Sequence, residues 1–290
     1  MDRIYIAGCG GMLGSDVYRT FSQNHTVKAT DIDVNEQWLS YADVRDENDI
    51  SVDVKAFNPD LIINLAAITD LEYCELNQSE AYDVNYTGAK NLSRVSQELE
   101  IPYIYISTAG IFGGEKDVYT EDDKPNPTSI YGKTKFLGEC AVLDNYCQSY
   151  VFRAGWMMGG KHKDKKFVGK ILKQIDQGAD ALYAVSDKHG TPTYTLDFAR
   201  CMYNCIVNNL PYGLYNMVCG GHVSRLDVAE EIVRQLKLDI PVNEVESEYF
   251  IKRYPAPRPA CEALKNKKLE DCNQNIMRDW KECLREYLNE

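Results

Sequence analysis

Three glycines, each separated from the next by two residues, stand where an apolar stretch gives way to an amphipathic one. Arg3-Ile4-Tyr5-Ile6-Ala7 reads as a buried strand, and Gly8-Cys9-Gly10-Gly11-Met12-Leu13-Gly14 follows it directly. The chain then continues with Leu13, Val17, Tyr18 and Phe21 at helical spacing. A turn this tight between strand and helix needs residues without a Cβ. One glycine makes the bend, one lets the backbone approach an anion, and one lets helix pack on strand. The pattern is Gly-x-x-Gly-x-x-Gly rather than the commoner Gly-x-Gly-x-x-Gly. Its place between the first strand and the first helix is the context expected of a dinucleotide-binding turn.

The rest of the first half repeats the same alternation. Thr26-Val27-Lys28-Ala29-Thr30-Asp31 reads as a second strand ending in an acid. Asp31 lies near the spacing at which a carboxylate meets the adenosine ribose hydroxyls, with Asp33 as its competitor. No Arg or Lys stands between Asp31 and Ser40 to favour a 2′-phosphate. Tyr41-Ala42-Asp43-Val44 reads as a short strand whose Asp43 meets the adenine. Asp60 to Ala67 is a buried strand ending in small residues, and Ser79 to Leu99 carries apolar residues at helical spacing around a single polar Asn85. Gln148 to Arg153 is another strand. Such alternation implies an α/β fold with a doubly wound parallel sheet, Rossmann-like, binding its ligand at the carboxyl ends of the strands.

Between these elements Ile104-Tyr105-Ile106-Ser107-Thr108 ends in two hydroxyls, and Tyr131-Gly132-Lys133-Thr134-Lys135 opens a helix. Tyr131 and Lys135 share a helix face. A phenol beside an ammonium is expected to titrate below its free value and to serve as a proton donor near neutral pH. Thr108 is placed to hold a carbonyl oxygen for the same phenol.

After about residue 154 the alternation loosens. Phe167 to Ile175, Thr195 to Val207 and Ser224 to Leu236 read as helices, the last capped by Ser224 or its neighbour. Gly213 to Val218 reads as a strand, and a final helix is expected near Met277 to Leu288. Residues 1–155 are therefore expected to form the dinucleotide-binding domain, joined by a returning segment at about 185–218. The remainder of 156–290 is expected to form a smaller α+β substrate-binding lobe.

A net charge of −12 and a pI near 4.9 argue against a general binder of nucleic acid or anionic membranes. The basic run from Lys161 to Lys166 is local, and is read equally as a solvated loop or as a face for a phosphorylated ligand. The ten cysteines show no metal-site spacing. No apolar run is long enough to span a membrane. The chain enters its first strand without a leader, so a cytoplasmic location with reduced thiols is expected.

With these pieces in place the chain resembles the extended short-chain dehydrogenase/reductases. Within them it is most similar to the dTDP-4-dehydrorhamnose reductase group. The match is carried by the glycine turn, Asn64 to Thr69, Cys74-Glu75, Val84-Asn85, Ser107-Thr108, Tyr131 to Lys135, Phe152-Arg153-x-x-Trp156, Asp187 to Thr193, Gly213 to Tyr215 and Arg258-Pro259. The resemblance implies reduction of a 4-keto-6-deoxy sugar on a nucleoside diphosphate, with Thr108, Tyr131 and Lys135 catalytic. It implies a nicotinamide cofactor held by Gly8, Gly11, Met12, Leu13, Gly14, Asp31, Ile32, Asp43, Val44, Leu65, Ala66, Ala67, Thr69 and Ser107 as well as by Tyr131 and Lys135; Asp31, with no cation near it, makes NADH the preferred form and NADPH a possible one. It implies a substrate site at Thr69, Leu71, Thr108, Trp156 and Arg258, with Asn85 bracing the site or bending its own helix, and a possible homodimer. The group usually continues Ser-Thr with Asp-Tyr; here Ala109-Gly110 follows Ser107-Thr108. Readings left open within the same fold are a non-enzymatic nucleotide-binding regulatory subunit and a nucleotide-sugar epimerase. A dehydratase, which needs an acid beside Thr108, is disfavoured.

Overall fold

Seven parallel strands form the central layer of the computed structural model, which describes residues 1–290. The strands of the molecule are, in chain order, β1 (Arg3–Ala7), β2 (Thr26–Asp31), β3 (Leu39–Tyr41), β4 (Leu61–Asn64), β5 (Tyr103–Thr108), β6 (Ser149–Ala154), β7 (Trp156–Met158), β8 (Leu182–Val185), β9 (His189–Gly190), β10 (Pro192–Tyr194), β11 (Gly213–Asn216), β12 (Val223–Ser224) and β13 (Val242–Val245). The helices are α1 (Gly14–Phe21), α2 (Glu47–Phe57), α3 (Leu71–Leu76), α4 (Gln78–Tyr82), α5 (Ala89–Leu99), α6 (Ile130–Asn145), α7 (Phe167–Asp176), α8 (Thr195–Val207), α9 (Arg225–Leu236), α10 (Lys267–Asp271) and α11 (Trp280–Leu288).

The central sheet runs β11-β6-β5-β4-β1-β2-β3, so the strand order reverses between β1 and β4. That reversal opens a crevice at the carboxyl ends, where ligands of such sheets bind. Both faces are apolar because each strand alternates its side chains between two helical layers. Ile4, Ile6, Ile63, Ile104 and Phe152 pack with Phe21, Phe198 and Met202 on one side. Tyr5, Ile62, Tyr105 and Val151 pack with Val54, Leu92 and Val142 on the other. The lobe has a separate core in which Met158, Leu182 and Tyr194 meet Ile232, Trp280 and Leu284. Helix α8 and strand β11 lie with the central sheet, while β8, β9 and β10 pair within the lobe, with β13, β12 and β7.

Three local expectations are corrected. The strand expected at 41–44 ends at Tyr41. Val44 turns inward beneath Gly88, where an added Cβ would lie 2.5 Å from its Cγ2. The last helix starts at Trp280, because the Asp279 carboxylate caps it by accepting from the Lys281 N–H at 2.8 Å. The Ser79–Leu99 helix is interrupted between α4 and α5 by a π-helical turn, Asp83–Gly88, which contains Asn85.

Helix α6 is fastened to the sheet by a buried ion pair. Arg153 and Glu139 are each 2% exposed and meet through two bonds of 3.0 and 2.5 Å. Ser107 Oγ donates to the same carboxylate at 2.7 Å. Removing one member of such a pair strands the other charge. Glu139→Ala should therefore cost about 3–5 kcal/mol in urea unfolding; a loss below ~1 kcal/mol, the range of an exposed pair, would show that the pair does not fasten the helix.

Candidate active site

The glycine turn is built as its spacing demands. Gly8 has φ +73°, and a Cβ on it would meet the Ala66 backbone nitrogen at 2.2 Å. A Cβ on Gly14 would meet the Cys9 carbonyl oxygen at 1.9 Å, so strand and helix touch there. Around Gly11 there is open space, with nothing within 4 Å of a Cβ. The N–H groups of Gly11, Met12 and Leu13 find no acceptor within the chain. Three unclaimed donors at the start of a helix fit a dinucleotide's pyrophosphate.

Asp31 stands beside this turn and is locked in place. One carboxylate oxygen accepts from the Gly10 N–H at 2.8 Å, the other from the Asp33 N–H at 2.9 Å. Ile32 is exposed next to it. Arg45 holds the Asp43 carboxylate through Nε and Nη2 and keeps its carboxyl below the usual range. Val44 is packed away, its carbonyl taken by Asn91. On β4 and beyond, Leu65 donates to Ala7 and Ala66 to the Asn64 side chain, which holds the Ala66-Ala67 backbone against the glycine turn. Ser107 points its hydroxyl into the core, onto Glu139, rather than toward a cofactor.

The reacting groups meet at the ends of β5 and α6. Thr108 accepts the Gly110 N–H at 3.1 Å, which leaves its own proton free for a carbonyl. Thr108 Oγ1 and the Tyr131 ring flank the same glycine, each 3.5 Å from a Cβ built on Gly110. Burial pushes the Tyr131 phenol up to about 12, opposed by the nearby Thr108 hydroxyl, with the Glu262 carboxylate adding to the rise. Lys135 does not depress it, which corrects the sequence expectation. Its ammonium is buried over the Tyr105 ring, 4.0 Å from the centroid. Burial pushes Lys135 down to about 7, opposed by the Glu139 charge. No acceptor in the chain takes the protons of the Lys135 ammonium, so it is available to a ligand's hydroxyls.

Asn85 braces this centre. Its side chain exchanges two bonds with the Ile68 backbone, at 2.8 and 3.0 Å, and donates to Thr134 Oγ1 at 3.0 Å. The π turn thus ties the loop after β4 to the helix that carries Tyr131. Tyr105 Oη donates to the Asn85 carbonyl at 3.0 Å. Gly138 admits both groups, since a Cβ there would lie 2.4 Å from that hydroxyl.

The lobe adds two lysines of the basic run, the expected Arg258 and Trp156, and Arg225 and Glu262, which no local sequence signal identified. Lys166 Nζ donates to Thr69 through its hydroxyl at 2.8 Å and its carbonyl at 2.9 Å, closing the loop that leads to Leu71 at the start of α3. Lys163 reaches Glu36 at 2.9 Å and Asn35 at 3.1 Å, a few residues beyond Asp31. Arg258 is paired with Glu72 at 2.7 Å. Trp156 donates its indole N–H to Glu262 at 3.0 Å, and the Arg225 guanidinium lies 3.6 Å from the indole centroid. Each contact joins residues far apart in the chain, which is why spacing alone did not show it.

A doubly wound sheet with an open glycine turn and a Thr–Tyr–Lys group at its carboxyl edge defines a nicotinamide-dependent oxidoreductase of the short-chain type. The whole chain, residues 1–290, matches the family model described as RmlD substrate binding domain, and the protein belongs to that family. It is 30% identical to the spore coat polysaccharide biosynthesis protein SpsK of Bacillus subtilis, over 100% of this chain and 98% of that one. Its fold is similar to the crystal structure of a dTDP-4-dehydrorhamnose reductase from Clostridium acetobutylicum, at 33% identity and TM-score 0.90, covering 99% and 98% of the two chains. It is also similar to the dTDP-4-dehydrorhamnose reductase of Bacillus anthracis solved with NADP, at 26% identity and TM-score 0.90, covering 99% of each chain.

The lysine environment has a consequence for stability. Lys135 binds its proton less tightly folded than unfolded, so unfolding takes up protons between about pH 7 and the free value of 10.5. Stability contributed through this group rises with pH across that window, and the penalty is full below it. Lys135→Met should melt higher than the parent at and below pH 7, with the gap closing toward pH 10. Melting curves of the two unliganded proteins across this range check it; a gap independent of pH would show that Lys135 is not desolvated.

Proposed function

We propose that the chain reduces a 4-keto-6-deoxy sugar attached to a nucleoside diphosphate, using NADH or NADPH. The observation that carries this reading is the Thr108–Tyr131 pair beside an ammonium that nothing in the chain claims. When bound, the nicotinamide supplies the hydride for the ketone carbon. Gly11, Met12 and Leu13 would hold its pyrophosphate, Asp31 the adenosine ribose and Lys135 the other ribose. Thr108 orients the carbonyl. Tyr131, kept protonated by burial, gives its proton to the oxygen as charge develops there. A ribose hydroxyl on Lys135 and a phenolate forming at Tyr131 both favour the charged lysine, so the ammonium that is costly in the empty site becomes useful during the reaction. An intact Thr–Tyr–Lys group favours an enzyme over a regulatory subunit. A lock on the ketone without an acid at Ala109 favours reduction over dehydration.

Tyr131→Phe should lower kcat by ~10²–10⁴-fold while NADH binding, followed by fluorescence, stays near that of the parent. Turnover close to the parent's would remove Tyr131 from the acid's role.

On the cofactor we infer a bias toward NADH that stops short of exclusion. Asp31 repels a 2′-phosphate, but Lys163 brings a cation to the same edge, held there by Glu36 and Asn35. Lys163→Ala should weaken NADPH binding roughly 3- to 10-fold, the size of a partly exposed charge contact, and leave NADH binding nearly unchanged. Titration of both cofactors decides; equal weakening of the two would place Lys163 outside the ribose edge. We further infer that the preferred sugar differs from 4-dehydrorhamnose, since Ala109 and Gly110 leave the wall beside Thr108 without an acid or a ring.

A further inference from the structure

Two opposite charges flank the Trp156 indole without pairing with each other. Glu262 accepts the indole N–H on Oε1 at 3.0 Å, and no donor in the chain reaches its Oε2. Arg225 lies between two aromatic rings, 3.6 Å from the Trp156 centroid and 4.9 Å from that of Phe167, and no carboxylate or carbonyl accepts from its guanidinium. Burial pulls that guanidinium down to about 10, and the Glu262 charge opposes the fall, so the two groups feel one another across the ring.

The carboxylate is rigidly placed. The Glu262 N–H donates to the His189 carbonyl at 3.0 Å, and the His189 N–H to the Ala260 carbonyl at 2.8 Å. Two residues on, the Leu264 N–H donates to Thr191 Oγ1 at 3.1 Å. The indole is fixed from its own side, since a Cβ on Gly190 would lie 2.3 Å from its Cε2. Trp156 itself stands two residues beyond Ala154, which is paired in register with Thr108. Through its bond to Trp156, Glu262 thus stands on the side of the site that continues from Thr108 and Ala154. A carboxylate with one oxygen unclaimed, on the same side of the site as the group that holds the ketone, has the chemistry to accept a hydroxyl of the same sugar.

We propose that Glu262 is a specificity-determining residue: its free oxygen accepts the hydroxyl on the ring carbon next to the ketone, while Arg225 holds the indole in place. This rests on the reductase reading for the identity of the ketone sugar, and on geometry for the role of the carboxylate. A site built to bond a hydroxyl discriminates against a sugar lacking it, because the polar group is then left without a partner.

The test compares dTDP-4-keto-6-deoxyhexose with its 3-deoxy analogue, by kcat/KM and by calorimetric binding of the corresponding reduced nucleotide sugars. The parent should prefer the hydroxylated sugar by roughly 10- to 100-fold. In Glu262→Ala that ratio should fall to within about 3-fold of unity, by loss on the hydroxylated sugar alone, and Glu262→Gln should keep an intermediate ratio. NADH binding reports that each variant is folded. Trp156→Phe, which keeps a ring but removes the donor that holds Oε1, separates recognition from support: it should lower the preference without abolishing it. The inference is overturned if the parent shows no preference, if Glu262→Ala weakens both sugars equally, or if Trp156→Phe abolishes the ratio as completely as Glu262→Ala. Hydroxyl-dependent binding lost in Glu262→Ala without any turnover in the parent would uphold the inference and overturn the reductase reading. Turnover with an unchanged ratio in Glu262→Ala would do the reverse.

Discussion

The Glu139–Arg153 pair sets the geometry on which the catalytic centre depends. Glu139 lies one helical turn beyond Lys135, and its carboxylate takes bonds from β6 through Arg153 and from β5 through Ser107. The helix that supplies the phenol and the ammonium is therefore referenced to the two strands that supply Thr108 and lead to Trp156. A purely apolar contact would hold the helix with comparable free energy but would tolerate sliding. A charge pair with a third donor has one geometry, and catalytic groups must be held to within a fraction of an ångström. The Arg153 face over Phe112, 5.3 Å from its centroid, completes the enclosure.

That enclosure also explains the electrostatics. Burial acts in opposite directions on an acid and a base, raising the phenol and lowering the ammonium. The resting site thus favours two neutral groups. The same Glu139 that fastens the helix opposes the fall at Lys135, and so keeps the lysine within reach of protonation near neutral pH. Asn85 supplies the remaining restraint. Its π turn spends one regular helical turn on linking the Ile68 loop to Thr134, a placement in which a polar residue inside a helix has a positive use.

Much of this was legible along the chain. The glycine turn, the alternating strands and the Tyr131–Lys135 spacing are local signals, and they define the sheet, the crevice and the reacting groups. Period-2 and period-3.6 patterns also placed α7, α8 and α9 to within a residue or two. The acidity of Tyr131 was misread, because the spacing puts Lys135 on the same face but does not show the Tyr105 ring that receives the ammonium. The basic run holding Lys163 and Lys166 was visible, but their partners, like those of Arg225 and Glu262, were not: each acts on a residue more than about sixty positions away, and nothing in a charged residue's neighbours tells which strand end it will reach.

The return of the chain to the central sheet bears on how the molecule comes into being. Strand β6 is left with a bare edge until β11 arrives from the far side of the lobe, and the apolar face of α8, with Phe198 and Met202, covers the sheet only on that same return. A nascent chain halted after Ala154 would carry every glycine and every reacting group of the catalytic centre, yet it would present an unpaired strand edge and an uncovered core. The nucleotide-binding half is not an autonomous folding unit on this topology. Only the first part of the lobe is a detour between two adjacent strands; α9, β13 and α11, which complete its core, follow β11, so the sheet can close before the cover over the site is finished.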